Sequence, residues 1–316
     1  MSVFENVINE ANKKNEVKDV TPESVEVADE GEGKKSFAER MAEKKNQCYA
    51  MIDDACLNSV SSVDNLRQFL NVQSRFDKYS LNNALLIFEQ KPEAVKVKEF
   101  DAWKKDDISV KKGAKSIMIL EPSPYKGTDG KMHRGYNAKN VFDISDVEAP
   151  EDALPQPKSY EQKQLVAALV HEAPVPVRKA EHSLGENDAI YDAKNKVVYF
   201  KAGLEFDTIF PAIAKALAHA EMAKDVENYR IGEHEFAARC SAYVISQRYG
   251  VDTRTVDVYG IPKNFETMEA EDVKMVLSDV HRNVKSITAR MIESLEQTQT
   301  KEQQNPSKGS KNREER

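Results

Sequence analysis

The chain has 316 residues, a length that suits two ordinary domains, and its formal net charge is −7. A protein with this acidic balance is not a general polyanion binder, so any contact with nucleic acid must come from a local basic patch. Hydrophobic residues make up 40% and charged residues 31% of the chain, which favours a folded body with disordered ends.

The chain has no apolar run of membrane-spanning length and no signal-peptide core. Its three cysteines, Cys48, Cys56 and Cys240, have neither metal-ligand spacing nor the pattern of a disulfide framework, and we interpret them as buried small hydrophobic residues. These features together predict a cytoplasmic protein without a membrane partner.

The N-terminal third begins with an acidic leader and then turns helical. Residues 1–36 show no sustained hydrophobic period, which predicts a disordered segment. A helix is expected to begin at Phe37, and Ser62 and Ser80 are each placed to cap a further helix. Pro92 lies just past the end of the Ser80 helix and would stop it.

Strand-like and basic segments follow these three helices. We expect an aromatic turn at Phe100 and Trp103, and then two lysine pairs at 104–105 and 111–112. Residues 116–120 predict a buried strand, 124–132 a hairpin tip, and 141–144 the returning strand.

The order of residues in this part resembles the N-terminal domain of ArdC-type antirestriction proteins, which bind single-stranded DNA. The matching positions are, in chain order, Tyr79-Ser80, Asn82-Asn83, Leu85-Leu86-Ile87, Gln90-Lys91-Pro92, Trp103, Val110-Lys111-Lys112-Gly113, Lys115, Pro122, Gly135-Tyr136 and Val141-Phe142-Asp143-Ile144. The resemblance covers roughly a third of the chain, about 39–147. It implies an α+β domain over 37–147, with N-terminal helices and a small antiparallel sheet.

The resemblance also implies a set of nucleic-acid-binding residues. They are Tyr79, Asn82, Asn83, Trp103, Lys104, Lys105, Lys111, Lys112 and Lys115. Binding of single-stranded DNA requires a cationic groove for phosphates and exposed rings on which bases stack. The residues by themselves leave a plainer interpretation open, in which Tyr79 and Trp103 are core residues and the lysines beside Asp106-Asp107 form an ordinary solvated face.

A linker rich in proline and acid, 148–158, separates this part from a second predicted domain over 159–297, and a polar tail over 298–316 is expected to be disordered. The second domain is expected to be α+β, mostly helical with a small sheet. Its predicted helices lie at 160–171, 206–224, 233–249 and 267–297, and its strands near 175–177, 189–191 and 197–200.

This order of elements resembles a small zincin metallopeptidase domain, in which one helix carries H-E-x-x-H and the next supplies a third ligand. A Leu-Ala-His match places His219 on the second histidine, Lys215 on the first, and Ala216 on the general base. With the register of the next helix set by 241–243, Arg239 falls on the third ligand. Because ammonium and guanidinium groups offer no lone pair, the resemblance implies no metal, no cofactor and no catalytic residue.

Cations placed in the interior require a carboxylate partner. Lys215 and His219 lie four residues apart and therefore share a helical face. Glu235 is the first candidate for their partner, and Glu221 or Asp225 is the second.

The function that these patterns favour is that of a single-stranded-DNA-binding accessory protein of a plasmid or conjugative element. Its zincin-like domain would be a pseudoenzyme that offers a surface to a protein partner. Two alternatives stay open. One is an active metal-dependent peptidase with atypical ligands, such as His219, His234 and a carboxylate. The other is a protein-interaction scaffold that does not bind DNA.

Overall fold

The computed structural model describes residues 36–150, 153–155, 159–224, 226–256, 258 and 260–304. The predicted leader up to residue 35, parts of the predicted linker, Asp225 and the predicted tail from residue 305 lie outside the described residues. Helices are interspersed with three small sheets, so the predicted α+β class is confirmed.

The described chain begins with the helices α1 (Phe37–Ser59), α2 (Val63–Arg75) and α3 (Leu81–Gln90). The predicted caps of the second and third helices are confirmed. The Ser62 and Ser80 hydroxyls accept hydrogen bonds from the backbone N–H of Asn65 and Asn83, respectively. Each bond satisfies a donor that the start of a helix leaves without a partner. The third helix ends two residues before Pro92, as predicted.

The strands of this part are β1 (Val97–Glu99), β2 (Ile117–Pro122), β3 (Tyr125–Lys126), β4 (Met132–His133) and β5 (Tyr136–Asp143). An antiparallel sheet has the order β1-β5-β2, and β3 pairs with β4 as a separate two-stranded arm. The returning strand β5 begins five residues earlier than predicted. Between β1 and β2, the predicted aromatic turn is instead a short helix, α4 (Phe100–Lys105).

Two side-chain amides of α3 complete the outer edge of strand β2. Asn83 Nδ2 donates to the Leu120 carbonyl at 2.9 Å, and Asn83 Oδ1 accepts from the Leu120 N–H at 2.8 Å. Gln90 makes the same pair of bonds to Met118, at 2.9 and 2.8 Å. Because unpaired edge groups invite pairing with another chain, these amides fix α3 against the sheet and protect its edge.

The remaining elements are α5 (Gln162–Val170), β6 (Val177–Lys179), β7 (Ala189–Asp192), β8 (Val197–Phe200), α6 (Phe206–Met222), α7 (Ile231–Arg248) and α8 (Ala270–Gln304). In their sheet, β8 lies between β6, which is parallel to it, and β7, which forms the predicted hairpin with it. Helix α8 continues seven residues beyond its predicted end at 297. Its last turns are rich in Glu, Lys and Gln, which are good helix formers.

Helices α2 and α7 pack together, and one continuous hydrophobic core includes residues on both sides of the predicted linker. Two polar contacts also connect the parts of the chain on either side of the predicted linker. Arg248 lies 2.6 Å from Asp77, and the Tyr243 hydroxyl donates to Asn71 at 3.2 Å. Among the described helices, none is long and apolar enough to cross a bilayer.

Candidate functional site

A polar cluster joins α6 to α7 at the position where the sequence predicts a degenerate metal site. Lys215 and His219 of α6 both face the carboxylate of Glu235 on α7. Lys215 Nζ lies 3.1 Å from Oε1, and His219 Nε2 lies 3.0 Å from Oε2. The second ring nitrogen of His219 lies 2.7 Å from the Tyr229 hydroxyl. His219 is 2% exposed, so both of its nitrogens are satisfied inside the protein.

The charges of this cluster set the ionisation of Glu235. Burial opposes ionisation, but the hydrogen bond from His219 and the charge of Lys215 outweigh it and lower the pKa of Glu235 to about 2. Burial, with smaller contributions from Tyr191 and Glu235, raises the pKa of the Tyr229 phenol. The cluster is therefore an ionised carboxylate held by an ammonium and an imidazole, with a protonated phenol behind them.

The predicted partner carboxylate, Glu235, is confirmed, because it meets both Lys215 and His219. Arg239, the predicted third-ligand position, lies one helical turn further along α7 and faces the same carboxylate. Arg239 Nε lies 4.0 Å from the Glu235 carboxylate, and its guanidinium donates to the Gly260 carbonyl at 3.2 Å.

The residues of the cluster do not fit a catalytic metal site. Of Lys215, His219, Glu235 and Arg239, only His219 and Glu235 offer lone pairs, and they are bonded to each other. The position of the general base holds Ala216, which is buried and apolar. His234, the other candidate ligand, stacks flat on Tyr229 with ring centroids 4.7 Å apart. Within the described ranges, His, Cys, Asp and Glu side chains form no group of three that could hold a metal ion.

Glu221, the second candidate partner, serves a different contact. It lies two residues after His219 and so points to another side of α6. Its carboxylate is buried and lies 2.7 Å from Arg290 of α8 and 2.6 Å from Lys224. Burial raises the pKa of Glu221, but the Lys224 hydrogen bond and the Arg290 charge outweigh this effect and lower it. Glu221 therefore ties α6 to α8.

Two of the predicted nucleic-acid-binding residues are part of the interior, which corrects their predicted role. Trp103 is 0% exposed, and its indole N–H donates to the Phe142 carbonyl at 2.9 Å. No face of this ring is open to a base. The Asn83 amide is buried and bonded through its nitrogen and its oxygen to strand β2, so it is not accessible to a phosphate or sugar.

Tyr79 and Asn82 are half-buried. The Tyr79 ring meets Phe76 edge-on, with centroids 5.5 Å apart, and burial raises the pKa of its phenol. Both residues keep some exposed surface, but neither presents an open ring or an extended polar group.

The five predicted lysines are all exposed: Lys104, Lys105, Lys111, Lys112 and Lys115. The first two end α4, and the other three lie in the loop between α4 and β2. Lys111 Nζ donates to the Ser145 carbonyl at 2.9 Å. None of the five forms an ion pair with another described residue. We refer to them below as the lysine loop.

The exposed ring beside the lysine loop is Phe100, which is 52% exposed. It begins α4, one turn before Lys104, so the two side chains lie on the same face of that helix. Trp103 lies three residues along and turns into the core. No sequence signal distinguishes Phe100 from Trp103, because residues three apart lie near the same face of a helix.

No family model and no curated protein matches this chain. Among the solved structures that are similar to it are two crystal structures of the antirestriction protein ArdC from plasmid R388, one metal-free and one bound to Mn(II). This chain is 12% identical to each, with TM-scores of 0.46 and 0.47. The similarity covers 68% of this chain and 85% and 84% of those chains.

Proposed function

We propose that this chain binds single-stranded DNA with little sequence preference, and that the lysine loop is the contact for the phosphates. The observation that carries the proposal is that all five lysines are exposed and have no carboxylate partner among the described residues. Phosphates of a flexible strand are the anions that such a loop attracts, and their binding releases counterions.

Other lysines of the same half contrast with this loop. Lys91 lies 2.7 Å from Asp146, Lys98 bonds Asp106, and Lys139 lies 3.3 Å from two carboxylates. The charges of these lysines are therefore neutralised by carboxylates of the protein itself. Of the two acids that the sequence places beside Lys104-Lys105, Asp106 is bonded to Lys98, and neither it nor Asp107 forms an ion pair with these two lysines in the described structure.

The base contact in this proposal is Phe100 rather than Trp103. A ring that is half exposed and stands one helical turn from a lysine offers both parts of a stacking site, an open π-face and a nearby cation. The buried Trp103 supports the site from beneath by fixing α4 against the sheet.

The resemblance to ArdC-type proteins supports a cellular context for this binding. We propose a cytoplasmic accessory protein of antirestriction type, encoded by a plasmid or conjugative element and acting on DNA that enters as a single strand. The α6–α7 cluster is proposed to be a structural remnant of a zincin-like site, because Lys215 and Ala216 replace a ligand and the base. Its surface is then available to a protein partner.

Fluorescence anisotropy of the full chain with a labelled oligo(dT) at several salt concentrations tests DNA binding. Replacing Lys111, Lys112 and Lys115 by Gln should reduce the slope of log Kd against log salt by about 2, since each single-strand contact contributes about 0.7. A matched variant with Gln at the exposed Lys163, Lys194 and Lys263 removes the same charge elsewhere and should leave the slope unchanged. Failure of the full chain to bind at low salt, or equal losses in both variants, would refute the proposal.

Metal analysis of protein purified without a chelator tests the pseudoenzyme part. We expect no stoichiometric zinc. Near-stoichiometric zinc that disappears in the His219→Ala variant would instead support the peptidase alternative.

A further inference from the structure

The β3–β4 arm projects from the end of the first sheet and has an unusual aromatic face. Its strands pair Tyr125 with His133 and Lys126 with Met132, and the turn closes through a hydrogen bond from the Gly127 N–H to the Lys131 carbonyl at 2.8 Å. A two-stranded hairpin is marginally stable by itself, so its side-chain contacts must hold it together.

Two glycines allow the rings of the arm to lie flat on its backbone. A β-carbon at Gly127 would lie 2.5 Å from the His133 ring, and one at Gly135 would lie 2.9 Å from the Tyr125 ring. These are diagonal cross-strand positions, where a ring covers the bare backbone of a glycine. The two rings are nearly parallel, at 26°, with centroids 5.6 Å apart.

The glycine backbone therefore lies against this ring pair. Tyr125 is 57% exposed, compared with 38% for Tyr49. Lys126, Lys131 and Arg134 are also exposed on the arm, and strand alternation places Lys131 on the face of the two rings. The arm carries a single carboxylate, Asp129, and it bonds the His133 ring at 2.9 Å. An exposed aromatic ring on an arm with three cations is complementary to bases joined by phosphates.

We propose that the β3–β4 arm is a second binding site for single-stranded nucleic acid, on which a base stacks against Tyr125 while the cations of the arm contact the flanking phosphates. The inference rests on the proposed function and extends it to a second point of contact. The arm follows strand β2 and the lysine loop precedes it, so six residues of extended chain place the two sites roughly 20 Å apart. A strand of several nucleotides would engage both.

The test uses the full chain and labelled oligo(dT) in the same anisotropy assay. Tyr125→Ala should weaken binding roughly 5- to 150-fold, the range for loss of one base stack, whereas Tyr125→Phe keeps the ring and should stay within about twofold of the wild type. The matched control is Tyr49→Ala, which removes another exposed tyrosine, on α1, and should have no effect. A parallel series with oligo(U) shows whether the β3–β4 arm prefers DNA or RNA.

A second variant keeps the rings and guards against local unfolding of the arm. Replacing Lys131 and Arg134 by Gln should reduce the slope of log Kd against log salt by about 1.4. Photocrosslinking of an oligonucleotide that carries 5-iodouracil, followed by peptide mapping, should place the crosslink on Tyr125 or His133.

The outcomes separate this inference from the proposed function. If the lysine-loop variant loses affinity while both arm variants bind like the wild type and no crosslink reaches the arm, the binding site on the arm is refuted and the one on the lysine loop stands. If only the arm variants lose affinity, the binding site on the arm stands and the one on the lysine loop is refuted. If the intact chain binds neither oligonucleotide, both are refuted.

Discussion

Replacing Glu235 by Gln removes the only negative charge that faces both Lys215 and His219 in the described cluster. The pKa of Glu235 falls from an ordinary 4.5 to about 2 in the folded protein. At about 1.4 kcal/mol per pH unit, this shift corresponds to a ceiling of about 3 kcal/mol of folding stability. Because the side chain is 33% exposed, solvent screening reduces the effect, and we expect a loss of about 1–3 kcal/mol at pH 7.

The direction of the pH dependence follows from the sign of the shift. A carboxylate whose folded pKa is depressed contributes its stabilisation above its unfolded pKa and loses it as the pH falls toward the folded pKa. For Glu235 the loss runs from about pH 4.5 down to about pH 2. The difference in unfolding free energy between the wild type and Glu235→Gln should therefore have its full value at pH 7 and less than half of that value at about pH 3.

Urea unfolding, followed by far-UV circular dichroism and by the fluorescence of the single tryptophan, measures this difference. The matched control is Glu233→Gln, on the same helix, where the side chain is 61% exposed and pairs only with the exposed Arg230 among described residues. It should change stability by less than about 0.5 kcal/mol. Equal stability of the two variants at pH 7, or a Glu235→Gln effect that does not shrink in acid, would show that the cluster does not hold the helices together as argued.

Three further outcomes follow from the same contacts. Asn83→Ala should cost about 2–3 kcal/mol in urea unfolding because it leaves edge groups of β2 unpaired, whereas its neighbour Asn82→Ala should cost less than about 0.5. Trp103→Phe should destabilise the fold by about 1–3 kcal/mol, by circular dichroism, without changing the DNA affinity of the folded protein. Burial raises the pKa of Cys56 to about 11 and of Cys240 to about 12, so a thiol reagent at pH 8 should label them only after unfolding.

Features that depend on local chemistry were predicted well from the sequence. The Ser62 and Ser80 caps and the stop at Pro92 each involve residues within one helical turn, so their partners are fixed by spacing alone. The pairing of Glu235 with α6 was also predicted, because a buried cation requires a carboxylate whatever the details of the fold.

Features that depend on tertiary packing were not predicted from the sequence. The spacing of Phe100 and Trp103 cannot by itself decide which ring faces the core, and the choice is made by the β1–β5 edge against which α4 packs. The bonds between Asn83 and Leu120 span 37 residues, so no local sequence pattern indicates that this amide bonds the backbone at the edge of a strand. The arm was predicted as a hairpin tip, but its stacked rings require the cross-strand register.

The α6–α7 cluster already brings together one histidine and one carboxylate, which are two of the three ligands in a His₂Glu zinc set. The Lys215 ammonium lies beside the same carboxylate, where a second imidazole would otherwise reach it. A cation of the protein thus takes the electrostatic role that a bound metal ion has in such a set.

We therefore predict that the single substitution Lys215→His produces a variant that purifies with zinc. Residues 215 and 219 lie four apart on one face of α6, and both already meet Glu235, so the change adds a lone pair and removes the nearer of the two cations beside that carboxylate. The control Lys215→Ala removes the same charge without adding a ligand, and in the same metal analysis it should bind no more zinc than the wild type. If zinc appears only when Arg239→Glu is added to Lys215→His, then position 239 rather than Glu235 supplies the third ligand, and this prediction is wrong.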